Sequence, residues 1–231
     1  MLISHRYRFI FMKTAKTAGT SVECYFEPYC MAPDDAKAAF ERDSKRAYIS
    51  KHGIIGARAS RGRERSGWVA HMPATKIRER LGEDVWTNYF RFATIRNPYD
   101  IAVSAYFFQK YRRRAPVADP ATERVAFEAW LAGDKPPDNR NKFMIGQQYC
   151  LSDVIRFESL LPDLERICST LGVAFEPERL GKEKSQIRPA WATIDMMYTD
   201  SSRASVAERY ALELERFGYG FPETLAGAET Q

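Results

Sequence analysis

Lys13-Thr14-Ala15-Lys16-Thr17-Ala18-Gly19-Thr20-Ser21 is the stretch on which the reading of this chain turns. An apolar run, Tyr7 to Met12 (YRFIFM), precedes it and has the length and composition of a strand. A helical segment, Thr20 to Tyr29, follows it and is ended by Pro28 and the nearby Pro33. A turn between strand and helix leaves backbone N–H groups unpaired at the helix N-terminus, where the helix dipole favours an anion. Gly19 lets the backbone bend closely around a ligand. Lys16 supplies positive charge, and Thr17, Thr20 and Ser21 supply hydroxyl donors. The Walker A pattern GxxxxGK[ST] is absent, because the turn has one Gly and its Lys comes before that Gly. Taken by itself the turn leaves two readings open, a phosphate cradle and an ordinary well-capped helix start.

A second turn has the same layout. Tyr89 to Ile95 (YFRFATI) reads as a strand, and a helix is expected from Pro98 to about Tyr111. Asn97 is a natural N-cap, Pro98 suits the first helical position, and Asp100 suits the positive end of the dipole. Arg96 then stands at the carboxyl end of a strand, where open α/β sheets bind ligands. Ser104 lies about two turns further on, so the two side chains can close on one phosphate, the guanidinium gripping it as a fork. Taken singly, the two residues read as a surface ion pair and a solvent-facing serine.

The rest of the chain keeps alternating. Helices are expected over Pro73 to Leu81, closed by Gly82, over Thr122 to Leu131, and over Leu160 to Leu171, closed by Gly172. A strand is expected over Asp153 to Phe157 (DVIRF). A last helix is expected over Ser201 to Phe217, where Val206, Tyr210, Leu214 and Phe217 recur at helical spacing. Residues 32 to 66 carry no clear pattern, and Pro177 to Ala192 reads as a basic loop. The expectation is an α/β fold in one domain, residues 1–221, with a flexible tail over 222–231.

Composition excludes other classes. The 231 residues are 45% hydrophobic and 13% aromatic, too rich for a disordered chain. No run approaches the roughly 20 apolar residues of a membrane span. No secretion signal is read: Phe9 to Met12 is short and flanked by Arg8 and Lys13. The net charge of +5 suits an anionic ligand but is too small to argue for nucleic acid. Cys24, Cys30, Cys150 and Cys168 form neither a CxxC nor a paired zinc spacing, and read as buried reduced thiols of a cytoplasmic protein. No carboxylate cluster points to a magnesium site.

Together the two turns resemble the cofactor-binding segments of sulfotransferases that use 3'-phosphoadenosine 5'-phosphosulfate. "KTAGTS" after a strand resembles the segment for the 5'-phosphosulfate. "RNPYDIAVSAY", with Arg and Ser eight apart, resembles the segment for the 3'-phosphate. The details are nearer to the carbohydrate sulfotransferases. Similarity continues through "HMPATKIRERLG", "DVIRFESLLPDLERICSTLG" and "FGY", so it touches most of residues 8 to 220 and is weakest over 30 to 65 and 112 to 140.

The resemblance implies a three-layer, P-loop-like fold with a central, mainly parallel sheet flanked by helices. It implies transfer of a sulfuryl group to an acceptor hydroxyl, of a carbohydrate or a glycolipid, leaving 3',5'-adenosine bisphosphate, with no metal. By motif match Lys16 would sit against the bridging oxygen of the phosphosulfate. Thr17, Ala18, Gly19, Thr20 and Ser21 would form the cradle, and Arg96 and Ser104 would hold the 3'-phosphate. Lys184 and Ser185, in a basic loop with Lys182 and Arg188, would touch the nucleotide. His71 is the expected general base, with His52 and Glu23 as alternatives and His5 as a surface residue. Glu158 is expected to tie loops together. Trp68, Trp86 and Trp191 are read as core residues that can also stack on adenine or sugar. Arg58, Arg61, Arg63 and Arg65, and the run Arg112-Arg113-Arg114, fall where the resemblance is weakest and are the candidates for acceptor recognition. The expected setting is a bacterial cytoplasm, with no membrane span and no nucleic-acid partner. Two rival readings remain, a magnesium-dependent P-loop kinase or NTPase and a non-enzymatic nucleotide- or RNA-binding module.

Overall fold

The computed structural model of the chain describes residues 1–36, 39, 42–58, 65–133, 136–181 and 187–222. Six strands form one sheet: β1 (Leu2–Ser4), β2 (Phe9–Met12), β3 (Tyr48–Ser50), β4 (Gly53–Ile55), β5 (Phe90–Ile95) and β8 (Asp153–Arg156). They lie in the order β3-β4-β1-β2-β5-β8. β2, β5 and β8 run parallel, with Phe11 opposite Phe92 and Phe92 opposite Asp153. The pairings β3–β4, β4–β1 and β1–β2 are antiparallel. The α/β class and the helix-flanked central sheet stand, and the parallel part is confined to β2 and β5, which feed the two turns, and their neighbour β8.

Two compact units emerge along the chain. One comprises Met1–Ile95 and Asp138–Glu183 and contains the sheet; the other comprises Arg96–Pro137 and Lys184–Gln231. In the first, alternation along β2 places Phe9 and Phe11 on one face. There they meet Phe92 and, from α1 (Gly19–Phe26), Phe26; the Phe26 and Phe92 rings lie 5.3 Å apart, edge to face. α7 (Leu160–Leu171) adds Leu164, Ile167 and Cys168, all fully buried at helical spacing. Each buried Phe or Leu contributes roughly 1.5–3 kcal/mol. Three shorter helices complete this unit: α2 (Ala74–Leu81), α3 (Glu83–Asn88) and α6 (Arg140–Phe143), the last leading into a small hairpin of β6 (Met144–Ile145) and β7 (Gln148–Tyr149).

The second unit is helical: α4 (Pro98–Arg113), α5 (Pro120–Gly133), α8 (Ile194–Met197), α9 (Asp200–Arg209) and α10 (Ala211–Phe217). Tyr106 of α4 packs edge-on against Phe127 of α5 at 5.5 Å, and the Tyr198 hydroxyl donates to the Tyr99 carbonyl at 2.9 Å. The single helix expected over 201–217 is two helices. Tyr210 leaves helical geometry (φ −109°, ψ 23°), and its hydroxyl is anchored on the Pro137 carbonyl at 2.9 Å. The apolar spacing runs through the break because both helices bury the same stripe. Similarly, the helix expected to reach Tyr29 ends at Phe26, and Glu27–Cys30, with Pro28, continues as a tighter 3₁₀ turn. Among the described residues no helix is long and apolar enough to cross a membrane.

Candidate functional site

The turn after β2 is built from strained backbone and buried hydroxyls. Lys16 (φ 66°) and Ala18 (φ 60°) both adopt the left-handed conformation, which costs a residue with a Cβ about 1–2 kcal/mol. On the sheet side the Thr17 hydroxyl lies 2.7 Å from those of both Thr14 and Thr94, and the Thr14 hydroxyl donates to the Thr94 carbonyl at 2.5 Å. The Thr17 hydroxyl is therefore committed to the fold, and its backbone is what it offers a ligand. Gly19 is needed for close approach: a Cβ there would stand 3.0 Å from the Thr14 carbonyl oxygen. Ala18 occupies the N-cap position of α1, and no side chain caps this helix. The capped-helix alternative for this turn is thus not what the chain adopts. Residues 13–21 include two lysines and three threonines but no acid, a donor set that fits an oxyanion.

α4 presents the opposite case. Asn97 caps it in the ordinary way, its side chain accepting from the Tyr99 N–H at 3.0 Å. Arg96 is held by Asp100, Nε to Oδ2 at 2.6 Å, and the other oxygen of that carboxylate takes Arg188. Arg188 Nε also donates to the Ala192 carbonyl at 2.5 Å. One acid thus fixes two guanidiniums in the helical unit. Ser104, half-buried, follows Asp100 by one turn along the same face of α4.

His71 is brought to the first turn. Its Nδ1 lies 3.1 Å from the Lys13 carbonyl oxygen, which accepts the ring N–H and leaves Nε2 as the proton acceptor. Close packing lowers the imidazole pKa to about 4, with the Lys13 and N-terminal ammonium groups adding to the shift. The residue as a whole is exposed. The imidazole is neutral at pH 7, the form a base requires.

Glu23 has another role. It is fully buried, and its carboxylate meets the Met1 ammonium at 2.9 Å, Lys13 Nζ at 2.7 Å and Arg58 Nε at 2.6 Å. Burial alone would raise its pKa, but the three cations outweigh that and hold it well below the usual carboxylate range. A carboxylate so held is a poor base. His52 sits in the β3–β4 hairpin, where Gly53 pairs with Ser4 and Ser4 with Phe9, so it lies at the amino edge of β2, opposite the Lys13–Ala18 turn. His5 lies at that same edge and meets the Tyr89 hydroxyl at 2.9 Å.

Several expected roles change. Arg58 is no part of an acceptor cluster, because it is spent on Glu23 and Glu27. Arg61, Arg63, Lys182, Lys184 and Ser185 lie outside the described residues. Trp68 and Trp86 are core residues, each 6% exposed, and Trp191 packs edge-on against Phe107. Glu158 is exposed, and close by in the chain Asp163 ties the end of β8 to the start of α7, accepting from the Arg156 N–H at 2.8 Å and the Ser159 hydroxyl at 3.0 Å. Sequence reading missed Thr94 and Asn139. The Asn139 side chain accepts from the Ala15 N–H at 2.7 Å and donates to the Ala15 carbonyl at 3.1 Å. No local pattern marks either residue, since both act across some 80 positions or more.

No curated protein and no solved structure matches the chain. A model of the Sulfotransferase family matches residues 1–220, which takes in the uncapped turn, His71 and the Arg96–Ser104 segment. The chain belongs to the sulfotransferase family.

Proposed function

We propose that the protein moves a sulfuryl group from 3'-phosphoadenosine 5'-phosphosulfate to a hydroxyl of a carbohydrate or glycolipid. The observation that carries this reading is the pairing of an uncapped helix N-terminus bearing Lys16 with a neutral imidazole hydrogen-bonded to the same turn. The donor, when bound, supplies the sulfuryl group and a phosphate leaving group. In the proposal the backbone of Thr17 to Ser21 receives the phosphosulfate end, and the Lys16 ammonium offsets negative charge growing on the leaving oxygen. His71 Nε2 takes the proton of the attacking hydroxyl, and the Lys13 carbonyl keeps the ring in the tautomer that allows it. Arg96 and Ser104 are assigned to the 3'-phosphate, with Asp100 orienting the guanidinium. The chemistry is in-line displacement governed by position and charge, as in phosphoryl transfer.

Calorimetry separates this from the two rival readings. Binding of 3',5'-adenosine bisphosphate is expected, with magnesium ATP and an RNA oligomer binding far more weakly. Lys16→Ala is expected to lower kcat by at least ~10²-fold, the size seen when a preorganised charge-stabilising group is lost. Preference for magnesium ATP would overturn the reading.

A further inference from the structure

We infer that Asn139 is a positioning residue for the Lys13–Ser21 turn: its side-chain amide clasps Ala15 on both the N–H and the carbonyl, and so sets the peptide plane from which Lys16 starts. Both contacts are short, 2.7 and 3.1 Å, and Asn139 is 7% exposed. The Ala15 carbonyl belongs to the peptide that links Ala15 to Lys16. Fixing it fixes the plane from which Lys16 turns into its left-handed conformation.

Two features separate this from incidental packing. Asn139 occupies the N-cap position of α6, where an Asn ordinarily caps its own helix. Its side chain makes no cap bond there and reaches instead to a residue 124 positions away. The contact also uses both ends of the amide, a donor and an acceptor on separate atoms, which no carboxylate, single hydroxyl or aliphatic chain reproduces. On its other flank the turn is pinned by the Thr14, Thr17 and Thr94 hydroxyls. Asn139 supplies the second flank, so that two departures from ordinary backbone geometry one residue apart are held from both sides. The clasp also lies two residues after Lys13, whose carbonyl orients His71.

The role of Lys16 here rests on the proposed sulfuryl transfer, and the test separates the two. In ligand-free protein, Asn139→Ala is expected to speed exchange of the Ala15 amide about tenfold or more, as loss of its hydrogen bond to Asn139 implies, with β5 amides unchanged. In the same variant, affinity for 3',5'-adenosine bisphosphate is expected to fall about tenfold and kcat to fall with it, while the acceptor KM is retained. Asn139→Asp keeps the bond from the Ala15 N–H and remains a good N-cap, so its exchange is expected to be intermediate; it also serves if the Ala variant does not fold. Exchange unchanged at Ala15 in either variant overturns the clasp. If wild type does not bind the bisphosphate, the sulfuryl-transfer reading falls and the exchange data alone decide the role of Asn139.

Discussion

In the proposed reaction His71 takes its role as base from its surroundings. An exposed imidazole titrates near 6.5, whereas this one is lowered to about 4 by packing and by neighbouring ammonium groups. A base works deprotonated, so activity is lost as pH falls through its pKa. The acid limb of kcat/KM is therefore expected near pH 4–5, with a flat profile from 6 to 8. His71→Ala is expected to lower kcat by ~10²–10⁴-fold, abolish that limb and leave bisphosphate affinity intact. An acid limb near pH 6.5 in wild type would show that the ring is not in the environment described. The sequence favoured His71 among three histidines through its resemblance to a family. The physical reason, the Lys13 carbonyl that accepts the ring N–H, depends on two residues 58 positions apart and is invisible in either segment alone.

At the scale of elements, legibility followed local chemistry. α4 and α7 stand where Asn97, Pro98 and Gly172 place them, because caps and left-handed C-termini are written in one to three adjacent residues. β1, β3 and β4 have three residues each, too few for a period to show, and their pairing is decided by strands distant in sequence. The turn between β2 and α1 was legible as a strand-to-helix turn, but its missing cap and its hydroxyl cluster were not. Gly19 tests how tightly that element is built. A Cβ at this position would stand 3.0 Å from the Thr14 carbonyl oxygen, 3.1 Å from Lys13 Cγ and 3.3 Å from Thr94 Oγ1. Gly19→Ala is expected to cost about 1–3 kcal/mol in urea unfolding, the range for overpacking. Bisphosphate affinity should weaken as well, because the Thr14 carbonyl cannot give way without moving the turn.

Across the whole molecule the net charge of +5 conceals how many cations are spent inside. Lys13 and Arg58 converge on Glu23 with the Met1 ammonium, and Arg58 and Arg42 meet again on Glu27. The sequence placed Arg58 with Arg61, Arg63 and Arg65 because neighbours in a basic run look alike; the fold shows that Arg58 turns inward. Glu23 thereby joins the start of β1, the exit of β2, helix α1 and the segment after β4. Removing one partner of a buried ionic cluster leaves uncompensated charge, so Glu23→Gln is expected to cost about 3–5 kcal/mol at pH 7. The sign with pH follows from linkage. The folded-state pKa of Glu23 is depressed below its ordinary 4.5, so its contribution is complete above that value and is lost as pH falls toward the folded-state pKa. Urea midpoints for wild type and variant should therefore differ most near neutrality and converge as pH drops from 5 to 3, where the wild-type carboxyl of the unfolded chain is increasingly protonated. A gap that stays constant over that range would mean that Glu23 contributes by shape alone, and that the three cations around it are not what holds these four segments together.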